Sequence, residues 1–408
     1  MSRPLLWILF CGAVSAASAF AQAGDASITR AQAYARAAQL EALGRALFAD
    51  PTLSGSGQMA CATCHDPLHA FGPPNNLAVQ LGGKDMRQPG LRAVPSLKYL
   101  QVIPQFTEHY YDSDEEADDS VDNGPTGGLT WDGRVDRGRD QARIPLLAPN
   151  EMANDNAAQV IAAVRNGSHA DDLRKIFGSQ IFDDADKAFE AITEALEVYQ
   201  QNSREFYPYS SKYDAYLAGR VALNAQEARG LAAFSDPGKG HCGNCHRSAR
   251  GKDGTPPQFT DYGLIAIGVP RNSAIPANGD AKFFDLGACG PLRLDLSGRT
   301  EYCGRFRTPT LRNVALRSTF FHNGVAHSLR EAVEFYADRD SNPEKWYPHD
   351  KAGHVQKFDD LPPSYRDNVN LEPPFGRAPG DPPTLSPSEI DDVVAFLGTL
   401  TDGYERVP

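Results

Sequence analysis

An eleven-residue stretch occurs twice in this 408-residue chain. Residues 41–51 read EALGRALFADP and residues 227–237 read EARGLAAFSDP, with seven identical letters in register. In both copies apolar and small residues recur at helical spacing, and an Asp-Pro pair then ends the helix. A chain that repeats the same helix end so far apart is predicted to fold as two related units.

Each copy leads into a C-x-x-C-H motif, CATCH at 61–65 and CGNCH at 242–246. This spacing is the attachment signature of c-type haem, in which two thiols bind the porphyrin and the next His binds its iron. One motif would also fit a zinc knuckle or a redox dithiol, but two copies after the same helix favour haem. We therefore predict two covalent haem c groups, attached through Cys61, Cys64, Cys242 and Cys245, with His65 and His246 as iron ligands.

The first 21 residues contain one Arg, an apolar run and a small-residue ending, as in a secretory signal peptide cleaved after Ala21. A lipid anchor on Cys11 is the alternative, and the large Phe10 before it disfavours this. No later apolar run reaches the roughly 20 residues of a membrane span. We expect a periplasmic protein, in which the oxidising compartment favours a disulfide between Cys289 and Cys303.

The fold is predicted to be mainly α, because strand signals are few. We expect two tandem cytochrome c-type domains, an N-terminal haem c domain at 22–205 and a C-terminal one at 206–408. Two segments stand apart from them. An acidic, Gly-rich insert at 111–128 is interpreted as a solvated loop, and 340–385, with nine prolines and no helical period, as a cover over a haem edge or docking face rather than a core element.

The formal net charge of −12 argues against nucleic acid as a partner. A basic docking protein would suit such a surface, although a surplus of acids more often serves only solubility.

Seven motifs in order, CATCH, LTWDGR, DQARIPLLAPNEM, CGNCH, FRTPTLRNVAL, FFHNG and LREAVEFY, resemble the bacterial di-haem cytochrome c peroxidase superfamily. The resemblance covers nearly all of the chain after the signal. It implies that hydrogen peroxide is reduced at the N-terminal haem with electrons drawn through the C-terminal haem. The redox partner would be a cytochrome c, a cupredoxin or, in MauG-like enzymes, a protein whose residues are oxidised. A non-catalytic di-haem electron carrier is the rival interpretation.

The same resemblance implies four catalytic residues. Glu151 would move a proton between the two peroxide oxygens, Gln141 would donate a hydrogen bond to the bound molecule, and Pro145 would limit the space. Trp131 would lie between the haems and carry electrons. From composition alone, Glu151 could equally be a surface acid and Trp131 a core residue.

The first haem is expected to have an open iron position at rest. Between His65 and Gln141 the sequence has two further histidines, His69 and His109. His69 lies on the side of the proximal His. The site would therefore be open unless His109 folds over it.

The second haem needs a ligand opposite His246. Carrier-fed peroxidases of the superfamily use a Met, but this chain has no Met after Met152. The matching position is Tyr336, on a helix for which Ser328 and Glu331 predict a capping box. His322 is the rival ligand. A phenolate oxygen favours oxidised iron, so a Tyr ligand predicts a MauG-like enzyme.

Calcium is an uncertain cofactor. The resemblance implies an ion bound between the domains by an Asn side chain and by backbone carbonyls aligning with 317–319. Here Ala93 stands at the Asn position.

Overall fold

The computed structural model describes residues 28–109 and 124–404. The predicted signal peptide lies outside the described residues, as does most of the predicted acidic insert. Among the described helices, none combines the length and the hydropathy that crossing a bilayer requires.

α-Helices dominate the described residues, as predicted. In chain order they are α1 Arg30–Phe48, α2 Cys61–Cys64, α3 Gly138–Leu147, α4 Ala157–Asn166, α5 Ala170–Phe177, α6 Ala185–Tyr199, α7 Ser203–Phe206, α8 Lys212–Leu217, α9 Ala225–Ser235, α10 Leu329–Asp338, α11 Pro343–Trp346 and α12 Pro387–Gly398. Four two-residue strands form two antiparallel pairs, β1 Leu81–Gly82 with β2 Gln88–Pro89, and β3 Leu264–Ile265 with β4 Phe306–Arg307.

The first hydrophobic core lies between α1 and α6 and extends from Leu40 to Phe206. Helix α1 begins where the Thr29 side chain accepts the N–H of Gln32, and α6 begins at the equivalent cap on Asp184. Both caps satisfy backbone donors that a helix end leaves unpaired. The helical spacing of apolar residues over 28–48 and 182–201 predicts two long helices in the first half, and both are present, with α3 and α4 packed against α6.

A second core lies between α9 and α12 and extends from Tyr213 to Leu400. Asn224 with Glu227, and Ser386 with Glu389, have the spacing that predicts a capping box. Both boxes are present, the second with Pro387 at the first helical position. The two helix pairs, α1 with α6 and α9 with α12, thus occupy matching places in the two halves.

The Gly that both copies of the eleven-residue stretch share lies where the two helices of each pair cross. A Cβ on Gly44 would stand 1.9 Å from the carbonyl oxygen of Ala195, and one on Gly230 would stand 1.9 Å from that of Asp392. Both glycines therefore allow the opening helix to touch the backbone of the closing helix.

The proline-rich segment corrects the sequence analysis, which excluded it from any core. A third cluster combines Val269 and Phe335 with apolar side chains of this segment, namely Tyr347, Phe358, Leu361 and Val369. Irregular backbone can be buried here because side chains supply the hydrogen bonds that its carbonyls would otherwise lack. The Arg339 guanidinium donates to the carbonyls of Ile267 and Asn370, both at 2.9 Å.

The two halves share an extensive contact. Thr126 bridges to Gly263, and the N–H of Arg307 donates to the carbonyl of Trp131 at 2.7 Å. The expected Cys289–Cys303 disulfide is present on the second-half side of this contact. Residues following 124 thus pack on the C-terminal half although they precede the closing helix of the first core.

We predict that Gly44→Ala and Gly230→Ala each lower the free energy of unfolding by about 1–3 kcal/mol, since a methyl group would force the crossing helices apart. Thermal unfolding of the purified protein measures this. Gly398→Ala, at the end of α12, is the matched control, because its Cβ would meet nothing within 4 Å. A loss for Gly398→Ala as large as for the other two would contradict the explanation.

Candidate functional site

Both C-x-x-C-H motifs form one tight turn of helix. The backbone N–H of His65 donates to the carbonyl of Cys61 at 2.9 Å, and that of His246 donates to Cys242 at 2.8 Å. Neither C-x-x-C pair is closed into a disulfide. Burial raises the pKa of Cys61 and of Cys242 to about 12.

The two motif histidines are oriented alike. His65 Nδ1 lies 2.9 Å from the carbonyl oxygen of Phe71, and His246 Nδ1 lies 2.9 Å from that of Phe259. A carbonyl accepts, so each Nδ1 carries the proton and each Nε2 keeps its lone pair for a metal. Burial lowers the pKa of both rings to about 4, which keeps them neutral at pH 7. The residues present therefore fit the iron of a haem c.

A second internal repeat, which the sequence analysis missed, supports these carbonyls. Residues 95–97 read Pro-Ser-Leu and residues 309–311 read Pro-Thr-Leu. The Ser96 hydroxyl donates to the carbonyl of Ala70 at 2.5 Å, and the Thr310 hydroxyl donates to that of Gln258 at 2.6 Å. In both halves this hydroxyl thus binds the backbone carbonyl of the residue that precedes the Phe.

The Leu of each repeat completes the arrangement. The N–H of Leu97 donates to the carbonyl of Phe71, and that of Leu311 to the carbonyl of Phe259, each at 3.3 Å. Phe71 and Phe259 both adopt φ 54°, a conformation uncommon for a bulky residue. In the sequence this repeat is visible only as Pro, then Ser or Thr, then Leu, and it lies at different distances from the two C-x-x-C-H motifs.

The second motif opens into a large cavity. Cys242, Cys245 and His246 line it on one side and Tyr336 lines it too, while much of the remaining wall is apolar. The proline-rich segment adds Pro373 to this wall. A mostly apolar cavity with a few placed polar groups is what a buried cofactor requires.

The helical spacing of Leu329, Ala332, Val333 and Tyr336 predicts that they share the inward face of α10, and all four line the cavity. The ring of Tyr336 stacks on Phe375 at 5.4 Å between centroids. Burial raises the pKa of the phenol, and the nearby Cys245 and Cys242 raise it further. The phenol is thus close to the second motif.

The start of α10 differs in one detail from the prediction. Ser328 accepts the N–H of Glu331, but the Glu331 carboxylate accepts the N–H of His327 at 2.6 Å instead of that of Ser328. The cap is therefore present without the reciprocal bond of a capping box.

His322, the rival ligand, lines the same cavity. Its ring stacks flat on Phe306 at 3.5 Å between centroids. Its Nε2 lies 3.5 Å from a carboxylate oxygen of Asp360. The nitrogen that would bind a metal is therefore close to an acid.

Gln141 and Pro145 both lie on α3, four residues apart and so on one face. Pro145 has no N–H to donate to the Gln141 carbonyl one turn earlier. Both side chains are partly exposed. The two residues that the resemblance pairs are therefore neighbours on one helix.

Glu151 follows α3 in a turn that β1 positions. The N–H of Gly83 donates to the Glu151 carbonyl at 2.8 Å, and a Cβ on Gly82 would stand 2.4 Å from the carbonyl oxygen of Asn150. The LGG stretch thus fixes the backbone that carries the carboxyl group.

The Glu151 side chain is exposed, as in the surface-acid interpretation of the sequence. Desolvation by the protein groups around the carboxyl group nevertheless raises its pKa, against the opposing charge of Arg134. The Glu151 charge is the last contribution that raises the pKa of Cys61, after burial and Cys64, and it follows burial for Cys64. Glu151 therefore lies within electrostatic reach of the first motif.

Trp131 lines the large cavity from the first half of the chain. Its Nε1 donates to the carbonyl of Ala93 at 2.8 Å, which fixes the ring. The next residue, Asp132, pairs with Arg92 at 2.7 Å and with Arg134 at 2.8 Å. The Trp therefore stands on a rigid, charged turn where the two halves meet.

His109 is exposed. Its neighbour Glu108 pairs with Arg299, close to the disulfide loop of the second half. His69 bonds to Asp66 at 2.7 Å. These contacts agree with an unblocked first site, which stays a prediction.

The comparisons with known proteins identify the family. The family model described as di-haem cytochrome c peroxidase matches residues 38–222. MauG of Paracoccus denitrificans, a methylamine utilization protein, is 33% identical over 384 residues, which cover 89% of this chain and 88% of that protein. The chain belongs to the di-haem cytochrome c peroxidase family. It falls in the MauG-like branch and is a peroxidase-type oxidoreductase.

Two further relatives agree. The cytochrome c551 peroxidase of Nitrosomonas europaea is 28% identical over 300 residues, covering 73% of this chain and 72% of that protein. The crystal structure of the dihaem peroxidase BthA from Burkholderia thailandensis matches with a TM-score of 0.78 and 39% identity, covering 90% of this chain and 87% of that one. The family implies haem c cofactors, and the residues described above fit them.

We predict that Gly82→Ala slows the reaction with hydrogen peroxide while both haems remain attached, because a methyl group would displace the Glu151 turn. Stopped-flow absorbance measures the rate, and the haem content per chain is the accompanying check. Gly279→Ala is the control, since its Cβ would meet nothing within 4 Å. An unchanged rate in Gly82→Ala would show that this backbone does not position the carboxyl group.

Proposed function

We propose that this chain is exported to the periplasm and reduces hydrogen peroxide at the N-terminal haem, with electrons drawn through the C-terminal haem. Each helix pair would enclose one haem c, bound by the Cys and His residues of its motif. The observation that carries the proposal is the position of Glu151, in a turn after α3 whose backbone Gly82 and Gly83 hold in place; the raised pKa of its carboxyl group supports the same role.

When bound by Cys61, Cys64 and His65, a haem would supply an iron that exchanges electrons with the substrate. Glu151 accepts a proton from one peroxide oxygen and returns it to the other, which leaves as water. Gln141 donates a side-chain N–H to the substrate, and Pro145 narrows the space beside it. Each peroxide consumes two electrons and two protons and yields two water molecules.

Electrons would pass between the two sites through Trp131. The support is its position: the ring lines the cavity of the second motif, and its N–H is fixed by a backbone carbonyl of the first half. A residue that relays electrons needs a constant distance to both haems, and the Asp132 ion pairs provide it.

At the second site we propose Tyr336 as the ligand opposite His246. Both Tyr336 and His322 line the cavity of the second motif, but Nε2 of His322 already lies 3.5 Å from a carboxylate oxygen of Asp360. A hard oxygen ligand stabilises oxidised iron. This site would then store an oxidising equivalent, as a MauG-like enzyme needs, instead of accepting electrons from a high-potential carrier.

The partner would accordingly be a protein that gives up electrons, either a small redox carrier or a protein substrate. A conventional carrier-fed peroxidase is the second candidate. The family membership disfavours the non-catalytic electron carrier considered from the sequence.

We predict that Glu151→Gln keeps both haems but slows the peroxide reaction by ~10²-fold or more, the usual loss for a general acid/base. The rate of the wild type should rise with pH, because the carboxylate must be deprotonated to accept a proton. Burial raises the Glu151 pKa, so the midpoint of this rise should lie above the ordinary Glu value of 4.5.

The control is Glu344→Gln, an exposed acid on α11 of the second half. It should retain both the rate and the pH profile. Wild-type turnover in Glu151→Gln, or a rise with pH that persists there, would remove Glu151 from the proton transfer.

We predict that Tyr336→Phe abolishes the low-spin signal of the second haem in the electron paramagnetic resonance spectrum, because the iron loses an oxygen ligand. Tyr347→Phe is the matched control, since it removes a buried phenol whose hydroxyl donates to the carbonyl of Gly268. An unchanged signal in Tyr336→Phe, with a changed one in His322→Asn, would assign the iron to His322.

A further inference from the structure

The calcium site of the family lacks its side-chain ligand in this chain. Ala93 offers a methyl group where the resemblance implies an Asn. Its backbone is also occupied, because its N–H donates to the carbonyl of His322 at 2.7 Å and its carbonyl accepts the Trp131 indole N–H at 2.8 Å. Among the described residues, no group of three or more His, Cys, Asp or Glu side chains could bind a metal ion.

A guanidinium reaches the backbone next to Ala93. Arg317, the first residue of the stretch that would supply carbonyl ligands, donates from Nη2 to the carbonyl of Val94 at 3.0 Å. Its Nη1 lies 3.6 Å from the point where a Cβ on Gly72 would stand. The side chain therefore extends from the second half of the chain to the backbone beside Ala93 in the first half.

Among the described residues, Arg317 forms no ion pair with a protein carboxylate of the kind that Arg92 and Arg312 form, and its side chain borders the large cavity. Burial alone lowers its pKa to about 10, so it remains charged at neutral pH. Its charge also contributes, after burial, to the lowered pKa of His65. A fixed positive charge therefore acts on the first motif.

We propose that the guanidinium of Arg317 replaces the calcium ion of the family and makes this protein independent of calcium. Ca²⁺ takes six to eight oxygen ligands, most of them anionic or carbonyl. Here a divalent ion would meet a monovalent cation at close range and would lack a side-chain oxygen, which opposes its binding.

This replacement changes what the site can do. Arg317 is covalently part of the chain, so its charge cannot be removed by a chelator or by a fall in calcium concentration. Its hydrogen bond to the Val94 carbonyl connects the two halves of the chain beside Ala93, whose own carbonyl binds Trp131. The orientation of the halves would then depend on a side chain and not on a dissociable ion.

The test uses purified protein with both haems attached. After dialysis against calcium and then against plain buffer, elemental analysis should find no stoichiometric calcium. Addition of EGTA should leave the ferric absorbance spectrum and the thermal unfolding midpoint unchanged. One tightly bound calcium per chain, with a spectrum that changes when it is removed, would overturn the proposal.

Two double variants separate the charge from the missing ligand. Ala93→Asn with Arg317→Gln removes the cation and restores an amide oxygen. The carbonyls of Arg317 and Thr319 accept no hydrogen bond from the described residues, so they are available as further ligands. This variant should bind calcium in the range of extracellular modules, about 10⁻⁴–10⁻³ M, and become sensitive to EGTA.

Ala93→Asn with Arg317→Lys is the matched control, because it keeps a cation in place and should not bind calcium. Equal calcium binding by the Lys and Gln variants would show that the charge at 317 does not exclude the ion. These readouts are metal content and unfolding, so they decide the proposal even if the peroxide reaction runs differently from the proposed function.

Discussion

The hydrogen bond from a motif histidine to the carbonyl of a phenylalanine organises each half of the molecule. It selects the tautomer that leaves Nε2 available to iron, and it requires the Phe backbone to adopt φ 54°. The cost of that conformation is met by packing: Phe71 stacks on Phe206 at 4.1 Å, and Phe259 meets Tyr213 edge-on at 5.4 Å. The hydrophobic core of each half thus sets the orientation of its metal ligand.

From this common arrangement the two halves diverge on the opposite side of the site. In the proposed function, the first half would present an amide, a proline and a carboxyl group from α3 and the turn after it. The second half presents a phenol among aromatic rings, with Arg339 centred 3.6 Å over Phe375 behind it. A polar side suits a substrate that exchanges protons, and a closed aromatic side suits a permanent ligand. On the proposed function, the repeated scaffold would therefore serve two different roles.

Much of this could be predicted from the sequence where the signal is local. The C-x-x-C-H motifs, the caps at Asn224 and Ser386, and the inward face of α10 depend on residues close together in the chain, so spacing alone reveals them. The sequence showed that Gly44 and Gly230 occupy the same place in a repeat. It did not show why, because the reason is a contact with the backbone of a distant helix.

Other features required the three-dimensional structure. The Pro-Ser-Leu and Pro-Thr-Leu repeats lie at unequal distances from the two C-x-x-C-H motifs. An alignment of the two halves on those motifs therefore does not place the repeats opposite each other. The proline-rich segment contributes to a core although its sequence has no helical period. Side chains such as Arg339 form the hydrogen bonds that its backbone carbonyls need. The guanidinium of Arg317 reaches across to Val94 from a position more than 200 residues away in the chain.

The contact between the halves is unusually polar for a buried surface. Arg92 bridges Asp132 and Asp285 at 2.7 and 2.6 Å, and Asp402 accepts hydrogen bonds from Lys98, Tyr99 and Asn313. Buried ion pairs add little to stability compared with apolar packing, because desolvation offsets their attraction. Their directional bonds do fix one relative orientation, whereas apolar surfaces can slide. Electron transfer between two sites depends on a constant separation, so a contact built from directional bonds serves that requirement better than a stronger but less specific one would.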